Sequence, residues 1–289
     1  MTIISSLQNP RVKDAVRLRD RRHREKRGQI LIDGARELGR AIAAGVSLRE
    51  VFVCEALCTS DDARRTLAAL PGWGGEILYV GEAVFRKLAF GQRAEGVLGV
   101  AEMPLLKLDD IEQRLGFGWG GSSTAAPSGS TTAAPTKQRE SPLVAVLEGV
   151  EKPGNLGAVL RSADGAGMQA LVAADARTDL YNPNAIRASL GTIFTLPVCA
   201  ATADETLAWL RRHSLAIVAA RVAAAVPYTK VDLRRPTAIV LGSEAEGLSA
   251  RWSGPDVTPV CLPMLGAADS LNVSVAAAVL FYEARRQRG

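Results

Sequence analysis

Residues 237–249 read TAIVLGSEAEGLS. As a strand, the opening TAIVL has no face left for water, and runs of that kind belong to parallel sheets covered by helices on both sides. Four similar runs surround it: LVAVLEG at 143–149, ALVAA at 170–174, AIVAAR at 216–221 and TPVCLPM at 258–264. Helical stretches expected at 155–167, 182–194 and 203–214 separate them, and LPMLGAADSLNVSVAAAVLFYEARRQR at 262–288 ends in another. The expectation is an α/β domain with a parallel sheet over residues 143–289.

With 289 residues, 47% of them hydrophobic, the chain suits two domains of ordinary size. Over residues 105–142, LLKLDDIEQRL gives way to GFGWGGSSTAAPSGSTTAAPTKQRESP. A segment rich in Gly, Ser, Thr, Ala and Pro buries too little apolar surface to offset chain entropy, so it reads as a flexible linker after residues 1–104. Gly116, Gly118 and Gly121 match a dinucleotide fingerprint by letter, but with no strand before and no helix after, the match is accidental. In the leading part, a basic helix from Pro10 to Arg27 precedes strands QILIDG, EVFV, EILYV and GVLGVAEM. Helices ARELGRAIAAG, TSDDARRTLAAL and EAVFRKLAF lie between those strands, making a small α/β sandwich.

Charge is unevenly placed. The whole chain has 35 basic and 30 acidic residues, whereas residues 11–27, RVKDAVRLRDRRHREKR, carry nine basic and three acidic ones. Such a cluster is either a solvated helix face or a contact for a polyanion. The start, MTIISSLQNPRVKD, has no basic segment followed by an apolar one, and no run of about 18 apolar residues occurs. Neither a secretory signal nor a membrane span is expected. Cys54, Cys58, Cys199 and Cys261 form no CxxC pair, and His23 and His213 are the two histidines. No metal site is expected, and reduced thiols point to a cytoplasmic protein.

Ligands of open parallel sheets bind beyond the carboxyl ends of the strands. Three such ends here run into unusual sequence: LEGVEKPGNLGAVLRSADGAG, with Asn155 and Arg161; IVLGSEAEGLS, with Ser243, Glu244 and Gly247; and LPMLGAADSLN, with Asp269, Ser270 and Asn272. Singly, each has a bland explanation. Asn155 and Ser270 read as helix caps, Arg161 as a surface cation and Glu244 as a solvated turn residue. Together, at three strand ends of one domain, they point to a ligand site, and the glycines let a ligand approach backbone N–H and C=O groups closely.

NLGAVLRSADGAG, IVLGSEAEGLS and LPMLGAADSLNVSVAAAVLFYEARRQR resemble, in order and spacing, the three motifs of the SpoU (TrmH-type) branch of the SPOUT RNA ribose methyltransferases. LYNPNAIRASLGTIFTLPV adds to the likeness, which covers residues 143–289. ISSLQNPRVKDAVRLRDRRHREKRGQILIDGAREL and EGVLGVAEMP resemble the substrate-binding domain that often precedes it, which has a ribosomal-protein-L30e-like fold. Lys152 departs from the pattern, standing where the family often has Asp.

The resemblance implies a parallel-sheet SPOUT domain with a deep trefoil knot, a smaller L30e-like domain before it, and a homodimer whose two catalytic domains share each site. It implies S-adenosylmethionine as cofactor, enclosed by Leu241, Gly242, Ser243, Gly247, Leu262, Met264 and Leu271. Arg161, Asn155, Glu244, Ser270 and Asn272 would form the catalytic cluster, with no metal. A structured RNA would be the substrate, ribosomal RNA of the large subunit in preference to transfer RNA, with Arg19, Arg21, Arg22, Arg24 and Arg36 on its phosphates. Two rivals are a non-catalytic RNA-binding protein of the same fold, disfavoured by the intact cluster, and a small-molecule methyltransferase, disfavoured by the basic leading domain.

Overall fold

In the computed structural model, residues 3–90, 94–117 and 141–289 are described. The leading domain holds helices α1 (Pro10–Arg17) and α2 (Arg21–Arg27), β1 (Gln29–Asp33), α3 (Ala35–Ala43), β2 (Leu48–Val53), α4 (Asp61–Ala69), β3 (Glu76–Tyr79), α5 (Glu82–Leu88) and β4 (Val97–Glu102). Its sheet has the order β1-β4-β2-β3. β4 runs antiparallel to both neighbours, and β2 and β3 are parallel.

The expected single basic helix is two. Buried Leu18 ends the first, Asp20 caps the second by accepting from the His23 N–H at 3.3 Å, and left-handed Gly28 stops it.

The second domain begins with α6 (Leu108–Leu115) and continues through β5 (Leu143–Glu148), α7 (Pro153–Ala166), β6 (Ala170–Ala174), α8 (Pro183–Ala188), β7 (Val198–Ala201), α9 (Ala203–Arg212), β8 (Ala216–Ala220), β9 (Thr237–Leu241), β10 (Val257–Val260) and α10 (Val273–Arg288). The six strands are ordered β10-β8-β9-β5-β6-β7, and every pairing is parallel. Within β5, Leu143, Ala145 and Leu147 pack into the core under α7 and α10, while Val144 and Val146 pack into the core under α9. Both faces are dry, which is why the strand is apolar without alternation. β7 was not among the expected strands: it is four residues long and at the sheet edge.

Residues 105–117, expected to belong to the linker, are partly helix instead. Ile111 of α6 is fully buried in the α9-side core, Phe117 stacks on His213 at 4.5 Å, and Glu112 lies 3.1 Å from His213 Nε2. The apolar spacing of LLKLDDIEQRL carried that information, and the glycine-rich sequence behind it obscured it. The Gly/Ser/Thr/Ala/Pro-rich part of the expected linker, 118–140, lies outside the described residues.

The two domains are docked. Ile30, Ile32, Ala35 and Leu38 share one core with Leu156 and Ile186. Arg24, 1% exposed, bonds Asp179 through Nε at 2.7 Å and Nη2 at 2.5 Å, and Arg40 donates to the Leu190 carbonyl at 2.8 Å. Left-handed Gly191 sits where a Cβ would lie 2.9 Å from the Glu37 backbone. Asp33 accepts from the Phe90 N–H at 2.6 Å and faces Arg187 at 3.5 Å. Burial outweighs these contacts and pushes its carboxyl up to about 6. Among the described residues no helix is long and apolar enough to cross a membrane.

Candidate active site

The chain leaves the central strand β5 toward β6 and β7 on one side, then returns to build β8, β9 and β10 on the other. The switch point lies between β5 and β9, where ligands of open α/β sheets bind. Beyond these two strands lie Lys152 and Asn155, at the start of α7, on one side and the Ser243–Gly247 turn on the other.

Three expected residues meet there. Glu244 Oε1 accepts from Asn155 Nδ2 at 2.5 Å and from Asn272 Nδ2 at 2.6 Å. Asn272 Nδ2 also lies 3.4 Å from Asn155 Oδ1. The other carboxylate oxygen, Oε2, is 3.0 Å from Lys152 Nζ. Asn155 stands in the first turn of α7, whose N-cap is Lys152. Asn272 is the N-cap of α10, with Oδ1 accepting from the Ser274 N–H at 2.9 Å and the Ser274 hydroxyl at 2.6 Å. The carboxylate thus fixes which way both amides face, using donors from two helix starts.

Beside the cluster is a cavity of about 480 Å³. All seven residues expected to enclose the cofactor line it: Leu241, Gly242, Ser243, Gly247, Leu262, Met264 and Leu271. Glu244 and Ser270 line it too. The turn between Ser243 and Gly247 is tight, with the Gly247 N–H donating to the Ser243 carbonyl at 2.9 Å. A Cβ on Gly242 would sit 2.1 Å from the Gly247 carbonyl carbon, so glycine alone fits there. Apolar walls, exposed backbone and a carboxylate at one end suit a ligand with an aromatic base and a charged tail, as S-adenosylmethionine has. A second cavity of about 280 Å³, lined by Lys152, Asn155 and Glu244 among others, opens on the α7 side of the same turn.

Arg161 is not brought into the cluster. It is exposed on α7, six residues past Asn155 and therefore about 120° around the helix axis from it. α7 and α10 lie side by side and run parallel: Asn155 meets Asn272 near their starts, and a Cβ on Gly165 would lie 2.9 Å from the Tyr282 hydroxyl near their ends. The α10 flank presents Val275 at 48% and Tyr282 at 54% exposure.

Three positioning groups escaped the sequence reading. Buried Glu148 accepts from the Ser249 N–H and hydroxyl, both at 2.7 Å. Arg221 donates to the carbonyls of Leu248, Ser249 and Trp252. Arg177 bonds Glu151 and Glu246, each at 2.6 Å. A signal existed for two of them: Glu148 and Arg221 are charges that end otherwise apolar strand runs, LVAVLE and AIVAAR.

The basic residues divide. Arg24 is removed from the RNA candidates, because its guanidinium is buried against Asp179 and the carbonyls of Leu18 and Arg19. Arg19 is removed too: its Nη2 donates to the carbonyls of Lys87, Leu88 and Ala89. Arg21 and Arg36 are exposed but paired with Glu25 and Asp62, and exposed pairs of this kind yield readily to a competing phosphate. Arg22 is exposed and has no hydrogen-bond or ion-pair partner among the described residues.

A parallel six-stranded sheet with an amide–carboxylate cluster and a cofactor-sized cavity at its switch point defines an α/β enzyme of the nucleotide-ligand type. Comparison with known proteins gives the family. Residues 142–282 match the SpoU rRNA Methylase family, and residues 9–99 match the MRM3-like substrate binding domain. A solved RNA 2′-O ribose methyltransferase is 40% identical, with 99% of each chain covered and a TM-score of 0.78. The AdoMet-bound rRNA methyltransferase from Sinorhizobium meliloti is 25% identical, covering 99% of this chain and 97% of its own, with a TM-score of 0.80. The 23S rRNA (uridine(2479)-2′-O)-methyltransferase of Streptomyces viridochromogenes is 29% identical over 94% of this chain and 87% of its own. The chain belongs to the SpoU rRNA methylase family.

Proposed function

We propose that this protein transfers the methyl group of S-adenosylmethionine to a ribose 2′-hydroxyl in large-subunit ribosomal RNA, in the cytoplasm. The observation that carries the reading is the meeting of Asn155, Glu244 and Asn272 at 2.5–2.6 Å beside the cavity of about 480 Å³. The cofactor supplies an electrophilic methyl on a sulfonium. The protein's part is to align the hydroxyl and ease the loss of its proton.

Leu241, Gly242, Ser243, Gly247, Leu262, Met264 and Leu271 enclose the cofactor, and their shared cavity supports that role. Asn155, Ser270 and Asn272 orient the ribose, and Glu244 locks the two amides. Arg161 holds the hydroxyl or its neighbouring phosphate. A guanidinium keeps its proton far above neutral pH, which makes it a poor base by itself. Its exposure suits action in a homodimer, where a second copy docked on the α7–α10 flank, over Val275 and Tyr282, brings Arg161 to the shared site. The reading includes trefoil threading of the segments after β9 and β10. Arg21, Arg22 and Arg36 meet RNA phosphates on the leading domain.

The test is transfer of tritium from labelled S-adenosylmethionine to total RNA and to a small-molecule extract. Label is expected in RNA, at 2′-O-methyl positions of 23S-type RNA. Label on a base nitrogen, or on RNA whose 2′-hydroxyls are replaced by hydrogen, would overturn the reading.

A further inference from the structure

Lys152 is an unusual start for a helix. It is the N-cap of α7, with φ −90° and ψ 116°, and its side chain makes no capping hydrogen bond. An ammonium has no lone pair to accept a backbone N–H, and its charge sits at the positive end of the helix dipole. Ser, Thr, Asp or Asn would start the helix better. The side chain reaches across instead, placing Nζ 3.0 Å from Glu244 Oε2 while 71% exposed. An exposed ion pair adds little stability, so neither capping nor pairing accounts for a lysine here.

The electrostatics of the cluster do. Asn155 and Asn272 are neutral and both spend an amide on Glu244 Oε1, which leaves the carboxylate's charge uncancelled by either. The same three residues, Lys152, Asn155 and Glu244, border the cavity of about 280 Å³ on the α7 side. Without Lys152, a polyanion entering there would meet the Glu244 carboxylate unpaired within a screening length of about 8 Å.

We propose that Lys152 is a positioning residue for the RNA. It cancels the outward charge of Glu244 and holds Oε2 away from the two amides, so that a ribose–phosphate segment meets one carboxylate fewer at an entrance where Glu151 and Glu246 already share Arg177. The proposal rests on the ribose methyltransferase reading and adds to it how the amide–carboxylate cluster tolerates an anionic substrate.

The experiment compares the full-length parent with Lys152→Ser and Lys152→Arg, using a 23S rRNA transcript. RNA binding by fluorescence anisotropy, steady-state methylation and melting temperature are the readouts. Lys152→Ser restores a capping oxygen, so its melting temperature is expected to equal or exceed the parent's. Its KM and Kd for RNA should rise roughly three- to tenfold, the size of one charge contact at about 4 Å in a water-like dielectric, with kcat within about twofold. Lys152→Arg should recover the parent's values. Unchanged RNA binding in Lys152→Ser overturns the proposal. So does a lowered melting temperature with a matching loss of cofactor affinity, because Lys152 would then merely brace the fold. If the parent binds the transcript but transfers no methyl to it, the reaction reading fails while the binding arm still judges Lys152.

Discussion

Replacing Arg24 with Met removes the more closely paired of two charged links between the domains among the described residues, the other being Asp33 with Arg187. The guanidinium is 1% exposed and the Asp179 side chain 10%. It makes two bonds to Asp179 Oδ2, at 2.5 and 2.7 Å, and donates through Nη1 to the Leu18 and Arg19 carbonyls at 2.7 and 2.8 Å. Breaking a buried ion pair by removing one partner costs about 3–5 kcal/mol, because the remaining charge is left without compensation. Residual access of water to Asp179 favours the lower end, and the two carbonyls losing a donor favour the upper end. For a chain of this size about 3–5 kcal/mol lowers the melting temperature by roughly 5–8 °C. Differential scanning calorimetry reads it, and loss of docking should split one transition into two. Arg22→Gln, on the exposed side of the same helix, should leave the melting temperature within about 1 °C. It should reduce the salt slope of RNA binding by about 0.7, the share of one phosphate contact. If Arg24→Met melts with the parent while flattening the salt slope, Arg24 serves RNA and the docking argument is wrong.

Arg161→Ala should keep cofactor affinity within a few-fold and slow methyl transfer by at least about 10²-fold; calorimetric loss of cofactor binding equal to the loss of rate would count against its assigned role. Gly242→Ala puts a Cβ 2.1 Å from the Gly247 carbonyl carbon, so the turn must shift and cofactor affinity should fall; parent-like affinity by calorimetry would show that the turn is slack. Asp33 holds its proton up to about pH 6 in the folded chain, more tightly than an unfolded aspartate does. Its contribution therefore favours folding below about pH 4 and is withdrawn as pH rises to about 6, by at most about 3 kcal/mol. Asp33→Asn should remove that part of the stability–pH profile, and superimposable profiles for parent and variant would refute it.

Much of the second domain was legible because its strands are dry on both faces: LVAVLE and TAIVL need no partner to be read as covered strands. β7 was not, because a four-residue edge strand carries too few positions for a pattern. The basic run at 11–27 shows the opposite limit. Sequence registers nine positive charges there, but not that Arg24 turns inward to Asp179 while Arg22, two residues earlier, stays in solvent. That division depends on the second domain, more than 150 residues away in the chain. The linker boundary failed for a non-local reason too: Ile111 packs against the α9-side core, about 100 residues further along the chain.

The polar start of the last helix shows why caps and sites are hard to separate by letter. Within ADSLN the residue that reads as a cap by letter is Ser270, and the cap is Asn272. Its Oδ1 does the capping, taking the Ser274 N–H, while its Nδ2 bonds Glu244. One amide satisfies the helix with its acceptor and the cluster with its donor, so the ordinary explanation and the functional one are both true of it. Asp or Ser at that position could cap equally well, but neither carries an N–H to give Glu244. Asn272→Asp therefore separates the two roles. The helix should stay capped and the melting temperature close to the parent's, while two carboxylates now face each other across the cluster and methyl transfer collapses. An active Asn272→Asp enzyme would mean that Asn272 is only a cap and that the Glu244 contact is incidental.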